Sequence, residues 1–122
     1  MKQLDIFELA NILEFELIQA KLNPTIASIM IVDEKSKSIP KFNSNKIILY
    51  NNKIKEERIK NNIIKNIYDY IKIKNESENV HLVKINNKNE QNIDIDLLIE
   101  LCIRKGLFNP ETDMKKVYRK CI

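Results

Sequence analysis

The chain has 122 residues, 43 % apolar and 31 % charged, with 21 basic against 17 acidic side chains and a net charge of +4. This describes one globular domain, large enough to bury an ordinary core and neither disordered nor dependent on disulfide staples. The charge is too mild to identify a dedicated nucleic-acid protein, so any basic binding face has to be a local one.

Residues 4 to 22 read as one helix. Ile6, Leu9, Ala10, Leu13, Leu17 and Ala20 recur on one stripe, and Leu4, Phe7, Phe15, Ile18 and Leu22 on a second. Asn23-Pro24 ends it, because proline disfavours a helical residue before it. Thr25 to Val32, rich in Ile and Val, reads as a buried strand. Asp33 to Ser38 forms a polar turn, Pro40 keeps the next stretch irregular, and Lys46 to Tyr50 is a second strand.

Asn51-Asn52 leads into a long helix, roughly Ile54 to Ile73, with Ile59, Ile63, Ile67, Tyr70 and Ile71 inward. Asn75 to Asn79 breaks the pattern, Val80 to Ile85 reads as a third strand, and Asn86 to Asn92 is an Asn/Lys-rich loop. Asp94 caps a helix running to about Lys105, with Ile95, Leu98, Ile99 and Cys102 inward, and Gly106 stops it. Asn109-Pro110-Glu111 starts a last helix to about Cys121, with Met114, Val117, Tyr118 and Cys121 inward. The expected architecture is therefore a single α+β domain over residues 1–122, a three-stranded sheet packed by helices in the order α-β-β-α-β-α-α.

Composition sets the cellular frame. Ile, Asn and Lys dominate and glycine occurs once, which fits an AT-rich genome such as that of a low-GC bacterium, a virus, a phage or a plasmid. The N-terminus carries acids where a signal peptide needs an apolar run, and Ile26 to Val32 is far too short to span a bilayer. Cys102 and Cys121 fall on the apolar stripes of adjacent helices. In an antiparallel pair they stand roughly 13 Å apart in height at about 1.5 Å per residue, too far for a bridge. Both are expected to be buried thiols in a reducing, cytoplasmic setting without membrane contact.

Most site chemistries lack parts. His81 is the lone histidine, so neither a zinc site nor a Ser/His/Asp or Cys/His constellation can be assembled in the usual spacing. A single glycine at a helix end excludes phosphate-cradling loops. Asp94 and Asp96 sit at a helix start, where capping and dipole compensation account for them; Glu56 and Glu57 read the same way. A strand followed by an amphipathic helix is a common setting for a His-Glu-x-x-His peptidase site. The long helix instead carries Asn61, Asn62, Lys65 and Asn66 and has no histidine. No enzyme activity, cofactor, metal or small-molecule ligand is expected.

Three faces remain for binding. The second stripe of the first helix, with Phe7, Phe15 and Ile18, needs a cover, either a neighbouring helix or a protein partner such as a second copy of the chain. On the last helix, Thr112, Lys115, Lys116, Arg119 and Lys120 fall within about 140° of one face at 100° per residue. Following a short Gly-containing connection, that face suits groove entry and phosphate contact. On the long helix, Arg58, Lys65 and Lys72 recur every seven residues, with Tyr68 at the edge and Asp69 interrupting the charge. The first expectation is a non-catalytic protein-interaction module acting as an accessory or inhibitory protein, with a homodimer as one form of it. The alternative is a nucleic-acid-binding protein using the C-terminal helical pair.

Overall fold

The computed structural model describes residues 4–76, 80–86 and 93–111. Their elements follow as α1 (Ile6–Ile12), β1 (Glu16–Gln19), β2 (Ser28–Val32), β3 (Lys46–Tyr50), α2 (Glu56–Glu76), β4 (Val83–Ile85) and α3 (Ile95–Arg104). The class is α+β, but the sheet has four strands in the order β1-β3-β2-β4. β1 runs parallel to β3, while β2 is antiparallel to both β3 and β4.

The extra strand comes from the N-terminal segment, and it corrects both the three-stranded sheet and the single long first helix. Asp5 caps α1, its carboxylate accepting from the Phe7 N–H at 2.8 Å. The helix then stops at Leu13, because Glu14 adopts a left-handed conformation with φ of 67°. The Glu14 N–H donates to the Asn11 carbonyl at 3.0 Å and the Phe15 N–H to the Ala10 carbonyl at 2.9 Å. These two bonds form a Schellman cap with glutamate where glycine is usual. The cap reverses the chain, buries Phe15 to 2 % exposure, and sends Glu16–Gln19 along β3. Residues 20–27 are loop.

The remaining elements lie close to their sequence readings. β3 keeps its expected bounds, and β2 and β4 are shortened from the N-terminal side. In α2 the stripe Ile59, Ile63, Ile67, Tyr70 and Ile71 is buried as its spacing demands. α3 is capped by the Asp94 carboxylate, which accepts from Leu97 N–H at 2.8 Å, and it ends on Gly106 at φ 72°. Asn109 Oδ1 accepts from Glu111 N–H at 3.0 Å where the sequence places the start of the last helix, and Pro110 and Glu111 are helical; the rest of that helix lies outside the described residues.

All three described helices bury their apolar stripes in one cluster with Met30, Val32 and Ile48 of the sheet. A polar peg registers the longest of them. Ser28 Oγ donates to Asn62 Oδ1 at 2.6 Å and accepts from Asn66 Nδ2 at 2.6 Å, with Ser28 and Asn66 fully buried. Two asparagines one turn apart therefore face the sheet.

The sign of one substitution tests the N-terminal turn. If Glu14 sat inside a helix, Glu14→Gly would cost about 0.5–1 kcal/mol. At a left-handed cap it relieves strain of about 1–2 kcal/mol instead. Urea unfolding of Glu14→Gly is expected to show a higher midpoint than the parent chain.

Candidate interaction surface

Strand alternation sorts the sheet residues onto two faces. Leu17, Ile48, Met30 and Ile85 face the helices. Ile18, Leu49 and Ile29, which are cross-strand partners, form a row on the other face. A second row there runs Glu16, Ile47, Ile31 and Lys84. No described helix packs on this face, yet its centre is apolar. Ile29 and Ile47 are buried, together with Ala27 and Ile39, outside the helix-side cluster. Ile18, Ile31 and Leu49 are half-buried.

β1 is also an edge among the described strands. The Ala20 N–H donates to the Tyr50 carbonyl at 3.0 Å, so Ala20 and, by alternation, Ile18 turn their backbone groups toward β3. Leu17 and Gln19 then direct theirs outward. β4 forms the other edge, with the exposed Lys84 at its centre. A lysine on an edge strand is a common guard against pairing with another chain. β1 has Ile18 at the corresponding place.

The three residues expected to share one helix face are thus separated. Phe15 is a core residue, edge-on to Tyr70 with ring centroids 5.2 Å apart. Phe7 is half-buried on α1, 6.2 Å from the Tyr50 ring, with the Lys60 ammonium 5.6 Å from its centroid. Of the three, only Ile18 stands on the helix-free face. Thr112, Lys115, Lys116, Arg119 and Lys120 lie outside the described residues.

One cluster of ionisable groups escaped the sequence reading. Lys46 donates to the Leu13 carbonyl, and its ammonium stands 5.2 Å from the Phe15 ring centroid and 5.8 Å from that of Tyr70. The Tyr70 hydroxyl donates to Glu34, and Lys74 reaches Glu34 at 3.5 Å. Burial pulls the Lys46 ammonium below its usual value, with Glu34 and Glu14 opposing and Lys74 adding to the shift. Burial and then the Glu34 bond push the Tyr70 phenol upward. A phenol held neutral and an ammonium already donating to a carbonyl are poorly set for nucleophilic work. The cluster instead ties the β2–β3 loop, the α1–β1 turn and the end of α2 together. Its signal in sequence is weak, since a lysine in a strand looks like any surface lysine.

Other sites lack convergent chemistry. Among the described residues no group of three metal-ligating side chains forms, and His81 is exposed. A cleft of about 500 Å³ where β1 and β3 end carries Lys21 and Lys53, both exposed. Another of about 500 Å³ carries Asp5, Glu56 and Lys60, with Lys60 paired to Asp5 at 3.0 Å and to Glu56 at 3.8 Å. On α2, Arg58 and Lys72 are exposed and Lys65 half-buried, while Tyr68 packs partly against the core. No described helix is long and apolar enough to cross a membrane.

Comparison with protein-family models, curated proteins and solved structures finds no match to this chain.

Core and surface roles separate by unfolding. Phe15→Ala is expected to cost about 3–5 kcal/mol, as large-to-small core changes do. Ile18→Lys is expected to cost the single chain under about 1 kcal/mol by the same urea measurement at high dilution, because its side chain leaves the sheet on the helix-free face.

Alkaline pH probes the core thiol. Burial raises Cys102 from 9.0 to about 11. A raised folded-state pKa contributes stability that is present below 9.0 and is lost as pH rises through about 11. Lys46 acts in the opposite sense and Tyr70 in the same sense at alkaline pH, so the comparison is with Cys102→Ala. The stability difference between parent and variant is expected to shrink over that interval in urea titrations.

Proposed function

We propose that this chain is a non-catalytic protein-interaction module that binds its partner along the β1 edge and the apolar sheet face beside it. One observation carries the reading: on the helix-free face the half-buried Ile18 and Leu49, backed by the buried Ile29, lead to a strand edge that presents backbone N–H and C=O groups outward. Adding a partner strand to such an edge draws affinity from main-chain hydrogen bonds and specificity from the side chains that alternate along it. The buried Cys102 thiol fits a reducing, cytoplasmic setting. The Ile-, Asn- and Lys-rich composition fits an accessory or inhibitory protein of an AT-rich bacterium, virus, phage or plasmid.

Nucleic-acid binding through Thr112, Lys115, Lys116, Arg119 and Lys120 is the competing proposal, and no described residue adds to it. One experiment separates the two. The full chain and its Ile18→Lys variant are each immobilised and exposed to extract of the source cell, and the bound material is identified. The interaction reading expects a stoichiometric protein, a second copy of the chain included, that the variant fails to hold. Identical profiles from the two baits would count against it. DNA or RNA bound at low salt, released as salt rises and lost on Lys115→Ala/Lys116→Ala/Arg119→Ala, would put nucleic-acid binding in its place.

A further inference from the structure

Edge strands are usually blunted, and the two edges of this sheet differ in that respect. β4 has Lys84 at its centre, and a two-fold pairing of β4 about that residue would set lysine against lysine. β1 has no charge at its centre. Its sequence is Glu16-Leu17-Ile18-Gln19, with Leu17 and Gln19 presenting their backbone groups away from β3.

That pattern is self-complementary. In an antiparallel pair, hydrogen-bonded residues stand opposite one another and exchange both bonds. Placing Leu17 of one copy opposite Gln19 of another satisfies both residues, and the two-fold axis supplies the second such pair. Ile18 then falls on the axis opposite its own mate, in the close non-hydrogen-bonded position with Cα atoms about 4.5 Å apart. The Ile18–Leu49–Ile29 row continues across the axis into the same row of the other copy.

Charge favours the same arrangement. β1 is entered through Glu14 and Glu16 and left through Lys21, with Glu14 and Lys21 exposed. Antiparallel pairing lays the acidic end of one copy beside the basic end of the other. Parallel pairing would align like with like.

Resting on the interaction reading above, we infer that the occupant of the β1 edge is a second copy of this chain, paired antiparallel through β1 about a two-fold axis at Ile18. The interface is isologous, as in most closed dimers, and it joins two four-stranded sheets into one.

The test is the solution mass of the full chain across micromolar concentrations, by sedimentation equilibrium or light scattering. The parent is expected to approach twice the mass of one chain. Gln19→Pro removes an outward N–H while sparing the β1–β3 ladder, since proline is tolerated on an edge strand whose N–H points away. This variant is expected to run as a single chain with unchanged far-UV circular dichroism. Ile18→Cys, in a Cys121→Ser background, is expected to form a covalent dimer on mild oxidation, whereas Gln19→Cys, opposite Leu17 of the other copy, is not.

A parent that remains a single chain at every concentration overturns the inference. So does a dimer that Gln19→Pro leaves intact. The extract experiment keeps the two readings apart. A single-chain mass together with an extract protein lost on Ile18→Lys overturns self-pairing and leaves the module standing. A single-chain mass with no such protein overturns both.

Discussion

The turn at Glu14 decides how the N-terminal segment is used, and much of the molecule follows from it. A left-handed residue after Leu13 lets the Glu14 and Phe15 N–H groups cap the end of α1 and reverses the chain within a few residues. Without the reversal, Phe15 and Leu17 would not reach the helix-side core, and β3 would lose its parallel neighbour. Glutamate pays a conformational cost there that glycine would not. The burial of Phe15 between Lys46 and Tyr70 offsets it, with full burial of such a side chain worth about 1.5–3 kcal/mol.

Two polar assemblies hold the sheet against the helices, and they differ in kind. Ser28, Asn62 and Asn66 are neutral, with Ser28 and Asn66 buried and Asn62 half-buried, and they set the position of α2 along β2 through short hydrogen bonds. Lys46, Glu34, Tyr70 and Lys74 are ionisable, with Tyr70 buried and the other three partly or fully exposed. They join the β2–β3 loop to α2, while the Lys46 ammonium also closes the end of α1 through the Leu13 carbonyl. A buried apolar contact tolerates sliding, whereas a hydrogen bond with a short donor–acceptor distance does not, so these contacts give the core its register.

With all described helices on one side, the sheet is unequal in its two faces. One face is core. The other is apolar at its centre, charged at its corners by Glu16 and Lys84, and bounded by an edge strand without a lysine guard. The molecule has no equivalent concentration of catalytic groups among its described residues: Lys46 and Tyr70 are engaged in the cluster around Glu34, and Cys102 is a free thiol buried in the core. The proposed function accordingly draws on surface pattern, and the proposed self-pairing on the self-complementarity of β1.

Local pattern was enough to read much of the fold. The α2 stripe, the span of β3, the Asp94 cap and the Gly106 stop each follow from spacing or from one residue's backbone preference, and each stands in the structure. The candidate surface was legible only at Ile18. A run such as Leu13 to Gln19 carries apolar residues at helical and strand spacings alike, and glutamate gives no sign that it will adopt a left-handed turn. That choice was settled by the vacant edge of β3 and the space beside Tyr70, which are contacts between residues tens of positions apart. For the same reason nothing in the local pattern marks Asn62 and Asn66 as facing the sheet, since their partner Ser28 lies more than thirty positions away. The sequence by itself determined which segments are amphipathic and where most of them stop, because those are properties of neighbouring residues. Only the tertiary structure decided which face each apolar residue meets, since a strand and a helix of the same sequence bury different sides.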